Sequence, residues 1–103
     1  MTKQRYTIRI AAEQAGLHEQ SLRMYERKGL ICPQRSKGNI RLFSDEDIEQ
    51  IRFIKRLVDD LGVNLAGVDV IMHMRSQLLE TQALLDRLTV ELEKAQHEQT
   101  LER

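Results

Sequence analysis

The chain has 103 residues, 41% of them hydrophobic and 31% charged, so one small domain plus an appendage is the ceiling. Its single cysteine, Cys32, excludes an internal disulfide, and the polar, basic opening "MTKQRYTIR" is unlike an apolar signal segment. No stretch approaches the roughly 18 apolar residues of a membrane span, so the expected setting is the cytoplasm, with no membrane partner. Formal net charge is zero, but residues 1–44 hold 9 Lys and Arg against 3 acidic side chains, and residues 45–103 hold 7 against 13. A basic head attracts phosphate while an acidic remainder is driven away from it.

Taken in chain order, residues 8–15, "IRIAAEQA", read as a short helix with Ile8 or Ile10, Ala11, Ala12 and Ala15 inward. Gly16 ends it. After the "AGL" corner, residues 18–28 form a second helix with Leu22 and Tyr25 inward, closed by Gly29 in a left-handed turn. Two short helices joined through a glycine-bearing corner match a helix-turn-helix. The outer face of the second helix carries Gln20, Arg23, Met24 and Arg27, a long basic stripe for which packing supplies no reason.

Pro33 then stops any helix, and "SKGN" marks a turn between "CPQR" and "IRLF". The pattern predicts a small β-hairpin wing with a basic tip, Ile40 and Leu42 on one face and Arg41 and Phe43 on the other. Ser44 followed by Asp47 is a capping box for a third helix. Its core positions are Ile48, Ile51, Ile54 or Phe53, and Leu57 or Val58. Gly62 breaks the pattern, and Asn64 is placed to cap a fourth, short helix from about Leu65 to His73.

Beyond that point Ile71, Met74, Leu78, Thr81, Leu85, Leu88, Leu92 and Ala95 recur at alternating spacings of three and four, the seam of a coiled coil. A single helix would expose this stripe at a cost of roughly 25 cal/mol per Å². The expected partner is a second copy of the chain, in either orientation. The fold class is therefore mainly α: a winged helix-turn-helix domain over residues 1–74, with a small β-hairpin wing, followed by a coiled-coil dimerisation helix over residues 75–103.

Nothing in the chain points to catalysis: there is no Gly-rich phosphate loop, paired carboxylate pocket or nucleophile motif. Cys32, His18, His73 and His97 have no paired ligand spacing, so neither a metal nor a cofactor is expected. Cys32 beside the wing reads as a small buried residue.

The run "TIRIAAEQAGLHEQSLRMYERKGLICPQRSKGNIRLFSDEDIEQIRFIKRLVDDLGVNLAGV" resembles the MerR family of winged helix-turn-helix transcription regulators. The shared frame is an Ala four residues before a Gly, Leu-Arg, Tyr-Glu and Gly-Leu, a wing reading Gly-x-x-Arg-Leu-aromatic-Ser, and a helix opening Ser-x-x-Asp. Within that family "YTIRIAAEQAGLHEQSLRMYERKGL" and "GVNLAGV" are similar to the heat-shock repressor branch, HspR. The resemblance implies a dimer that represses chaperone genes by binding an inverted repeat in double-stranded DNA, with the DnaK chaperone as corepressor. Four positions depart from the family pattern: Arg9 at a usual cap position, Met24 where a second Tyr is common, Phe43 for the wing Tyr, and Ile40 at a frequent Tyr position. No effector domain is expected after the helix that runs to Arg103.

In a helix-turn-helix the second helix enters the major groove, its N-terminal residues at base edges. Gln20 suits adenine, and Arg23 suits guanine or a phosphate. His18, Ser21, Tyr25 and Arg27 suit phosphate oxygens. The wing adds Arg35, Lys37, Asn39 and Arg41, and Arg41 matches the wing Arg of the family. Two competing readings stay open: a MerR-like module that binds a chaperone or cochaperone without DNA, similar to the CbpM type, and a transcriptional activator.

Overall fold

The computed structural model describes residues 4–102 and divides into two compact units, Met1–Asp69 and Val70–Arg103. In the first unit, α1 (Ile8–Ala15) buries Ala11, Ala12 and Ala15, while Ile10 is exposed and Ile8 half-buried. Three alanines on one face give α1 a smooth side, and both α2 (Glu19–Arg27) and α3 (Asp45–Lys55) pack against it. Thr7 stands at the N-cap of α1 without a side-chain cap bond; its carbonyl accepts from Ala11 N–H at 2.9 Å.

The inward side of α2 is Leu22 and Tyr25, as the spacing predicts. Its end is a left-handed turn at Gly29, φ 76°. Gly29 N–H donates to the Glu26 carbonyl at 3.0 Å and Leu30 N–H to the Tyr25 carbonyl at 2.9 Å, with Leu30 and Tyr25 both buried. That pattern satisfies the orphan carbonyls of the last turn and sends the chain towards the wing.

The wing is an antiparallel pair, β1 (Gln34–Arg35) and β2 (Arg41–Leu42), in register Gln34 with Leu42 and Arg35 with Arg41. Asn39 N–H donates to the Ser36 carbonyl at 2.9 Å, and Asn39 itself takes the left-handed conformation at φ 63°. Phe43 is buried at the base and Ile40 is 57% exposed, while Arg41 and Leu42 between them are both half-buried. Tyr6 adds a bridge beside Phe43 through two 2.8 Å backbone bonds, and its hydroxyl donates to Asp45 Oδ1 at 2.8 Å. Cys32 differs from expectation: Ile31 and Pro33 turn inward, and the alternation puts Cys32 on the surface.

Ser44 opens α3 with a full capping box: its hydroxyl accepts from Asp47 N–H at 3.0 Å, and Asp47 accepts from Ser44 N–H at 2.9 Å. The core row resolves to Ile48, Ile51, Ile54 and Leu57, with Phe53 and Val58 half-buried. Periodicity alone does not foretell the π-helical turn over Arg56–Asp60, in which Leu61 N–H reaches the Arg56 carbonyl at 3.1 Å. Asn64 caps α4 (Leu65–Glu102), its Oδ1 accepting from Gly67 N–H at 2.8 Å. The expected short helix ending near His73 is not separate: α4 runs unbroken for 38 residues, because no Gly or Pro follows Gly67 to stop it.

Two substitutions probe these supports. Ala11→Leu forces an extra branched side chain between α1 and its neighbours and is expected to destabilise the chain by about 1–3 kcal/mol in urea unfolding. Ser44→Ala removes the cap acceptor of α3 and is expected to cost about 1 kcal/mol in the same measurement. Wild-type midpoints for both would remove the alanine face and the capping box as supports of the head.

Candidate nucleic-acid interface

The corner at Gly16 and the turn at Gly29 fix both ends of α2, and burial of Leu22 and Tyr25 fixes its rotation. The opposite face then falls to Gln20 and Arg27, both exposed, and to Arg23 and Met24, both half-buried. Among the described residues Gln20, Arg23 and Arg27 have no protein partner for their side chains. His18 is the N-cap of α2, but its ring makes no cap bond, and only its backbone carbonyl is used, by Ser21 N–H at 3.0 Å. Ser21 is half-buried in the first turn.

Tyr25 is the site residue whose position fits a phosphate contact least. Its ring is 4% exposed, and its hydroxyl is pushed above the ordinary phenol range first by burial and then by the nearby Asp59 carboxylate.

On the wing, the predicted residues do not behave alike. Lys37 and Asn39 lie exposed at the tip, and Lys37 has no protein partner among the described residues. Arg35 and Arg41 are both drawn to Glu26 on α2: Arg41 Nε donates to Oε1 at 2.7 Å, and Arg35 Nη2 donates to Oε2 at 3.2 Å. Arg35 Nη1 also donates to the Asn39 carbonyl at 3.2 Å. The Glu26 carboxyl is held below the usual carboxylate range, mainly by the Arg41 hydrogen bond and further by the charges of both arginines. Helix and wing are thereby joined into one surface. Sequence reasoning passed over Glu26; its signal was an acid inside a basic stripe, one that becomes legible only when Arg35 and Arg41 are seen to pair across the hairpin.

Other ties hold the frame. Gln50 Nε2 donates to the Leu30 carbonyl at 2.7 Å, fixing the exit of α2 on α3. Arg52 Nη2 donates to the Gln14 carbonyl at 3.1 Å, fixing the end of α1.

In the second unit most of the seam positions are open to solvent. Along α4 the last buried residue is Met72; Ile71 is half-buried, and Met74, Leu78, Leu85, Leu88, Leu92 and Ala95 are exposed, Leu78 at 69%. Among the described residues there is no helix long and apolar enough to cross a membrane, and no group of three metal-ligating side chains.

Comparison with known proteins agrees with this geometry. The model of the family described as "MerR HTH family regulatory protein" matches residues 6–75. The Streptomyces coelicolor protein named "Putative heat shock protein HspR" is 42% identical over 90 residues, covering 87% of this chain and 60% of that protein. GlnR of Bacillus cereus, an HTH-type transcriptional regulator, is 36% identical over 75 residues, covering 73% of this chain and 57% of its own length. The chain thus spans less than two thirds of the length of these curated relatives. Among solved structures, the fold is shared with HiNmlR, a MerR family regulator lacking the sensor domain and bound to promoter DNA, at TM-score 0.66 and 24% identity over 96% of this chain and 80% of that one. PbrR691 from Ralstonia metallidurans CH34, solved with lead(II), superposes at TM-score 0.65 and 27% identity over 95% of this chain and 80% of its own. Helix-turn-helix, wing and capped third helix all fall inside the matched residues 6–75, and the chain belongs to the MerR family of helix-turn-helix regulatory proteins.

Proposed function

We propose that the chain is a sequence-specific DNA-binding transcription regulator of the cytoplasm, acting as a homodimer that represses heat-shock or chaperone genes through an inverted repeat. The observation that carries this reading is the unpartnered face of α2, Gln20, Arg23 and Arg27, standing beside a wing whose arginines are tied to the same helix. The promoter DNA named for HiNmlR and the heat-shock name of the Streptomyces relative support the two halves of the proposal. Residues 1–74 form the DNA-binding domain and residues 75–103 the dimerisation helix. DnaK is the proposed corepressor, by resemblance to the HspR branch.

Within the domain, Gln20 and Arg23 read base edges, while His18, Ser21, Arg27, Arg35, Lys37, Asn39 and Arg41 engage the backbone. Tyr25 contributes through the core that orients α2. The seam of Ile71, Met74, Leu78, Leu85, Leu88, Leu92 and Ala95, exposed from Met74 onward, is covered by the second copy, which removes its apolar area from water.

The direct test is selection of fragmented genomic DNA by the purified protein at moderate salt, followed by sequencing. Enrichment of one inverted repeat upstream of chaperone genes is expected; retention without a common sequence would overturn sequence-specific regulation and favour the chaperone-binding module. On the enriched site, Gln20→Ala or Arg23→Ala is expected to cost about 1–3 kcal/mol and relax base preference, whereas Arg41→Ala weakens all sequences alike. Equal losses on every sequence for all three variants would leave α2 without a base reader. Leu85→Asp and Leu88→Asp each place a charge in the seam and are expected to yield monomers in sedimentation. A dimer surviving both would move the interface elsewhere.

A further inference from the structure

Glu26 is an anion in the middle of a basic surface, where it weakens attraction to any polyanion. Its presence needs a physical reason, and the hairpin supplies one. The register sets Arg35 directly opposite Arg41, a pairing of like charges that destabilises a ladder. The ladder itself is only two residue pairs long, too short to hold its own shape, and its base is anchored separately by buried Phe43 and the Tyr6 bridge. Both oxygens of Glu26 are used, Oε1 by Arg41 Nε at 2.7 Å and Oε2 by Arg35 Nη2 at 3.2 Å. Among the described residues, the terminal nitrogens of Arg41 have no protein partner, although its side chain is only 26% exposed.

We propose that Glu26 is a positioning residue for the wing: it holds Arg41 by Nε so that both terminal nitrogens face a DNA phosphate, and it keeps Arg35 and Arg41 together on one side of the hairpin. The assignment rests on the DNA-binding reading above. A guanidinium engaged on its Nε edge has lost most of its rotational freedom yet keeps the fork that binds phosphate through two parallel bonds. Glu26 is ionised at neutral pH, as any carboxylate with an ordinary pKa is, and the two arginines favour that form further.

The sign of one substitution separates this role from simple masking of charge. Glu26→Gln keeps the shape and removes the charge; melting followed by circular dichroism checks that it folds. Its binding to the genomically enriched site and to an unrelated duplex is measured by fluorescence anisotropy across a salt series. As a latch, Glu26 predicts roughly fivefold weaker binding by Glu26→Gln to both duplexes. The log–log salt slope becomes shallower by up to about 0.9, one phosphate contact. Glu26→Gln costs less in an Arg41→Ala background than in the wild type, the remainder being the release of Arg35, and Glu26→Asp, which keeps the charge on a shorter arm, falls between. Tighter binding with a steeper slope, or a loss that adds in full to that of Arg41→Ala, would overturn the proposal.

A second readout needs no DNA. The Arg41 Nε–H resonance, protected from solvent exchange in the wild type, is expected to lose protection in Glu26→Gln; unchanged protection overturns the latch. If the wild type binds neither duplex while Nε–H responds as expected, the DNA-binding reading fails, and the phosphate-presenting part of this proposal fails with it.

Discussion

The head depends on how closely α1 lets its neighbours approach. Helices of eight and nine residues do not persist alone in water, since nucleating the first turn costs more than so few hydrogen bonds return. Ala11, Ala12 and Ala15 give α1 a face without bulk, and both α2 and α3 pack against α1. The large side chains come from those neighbours: Leu22 and Tyr25 from α2, and Ile48, Ile51 and Ile54 from α3. Small against large is how a core of this size reaches close packing without voids. The outward stripe of α2 is a consequence of that arrangement, because burying Leu22 and Tyr25 leaves its rotation no choice.

Electrostatics then acts on a frame already set by packing. Zero net charge conceals a division along the chain, with the cations concentrated before residue 45. Within that basic part the structure separates two groups. Arg23, Arg27 and Lys37 stand without protein partners among the described residues, while Arg35 and Arg41 share one carboxylate. Free cations favour a polyanion at long range, and tethered ones define where it sits at short range.

Much of this was legible from the amino-acid order, and the reasons are local. Gly29 after a helical run, Ser44 three residues before Asp47, Asn64 before Leu65, and leucines at heptad spacing each express a preference of a few neighbouring residues. The Glu26 latch was not legible because it joins residues 9 and 15 positions apart through a register that only the folded hairpin sets. Cys32 was misjudged for a related reason: residue type suggested burial, but alternation between Ile31 and Pro33 decided its side. The continuous α4 reflects the lack of any breaker after Gly67; periodicity divided it into two segments where the backbone had no cause to stop.

The π-helical turn at Arg56–Asp60 has a consequence for how this chain tolerates changes in length. A bond reaching five residues back, from Leu61 to Arg56, accommodates one residue more than an α-helical turn would. Deleting a single residue there would restore an ordinary ladder, so the helix itself would accept the deletion. Residues beyond the turn would keep nearly their present phase, because the deletion removes only the residue that the wider turn absorbs. The same loss in the regular part of α3 would rotate everything after it by about 100°, the angle one residue subtends in an α-helix. A change in chain length that the core row Ile48, Ile51 and Ile54 would not survive is one that Arg56–Asp60 can take up.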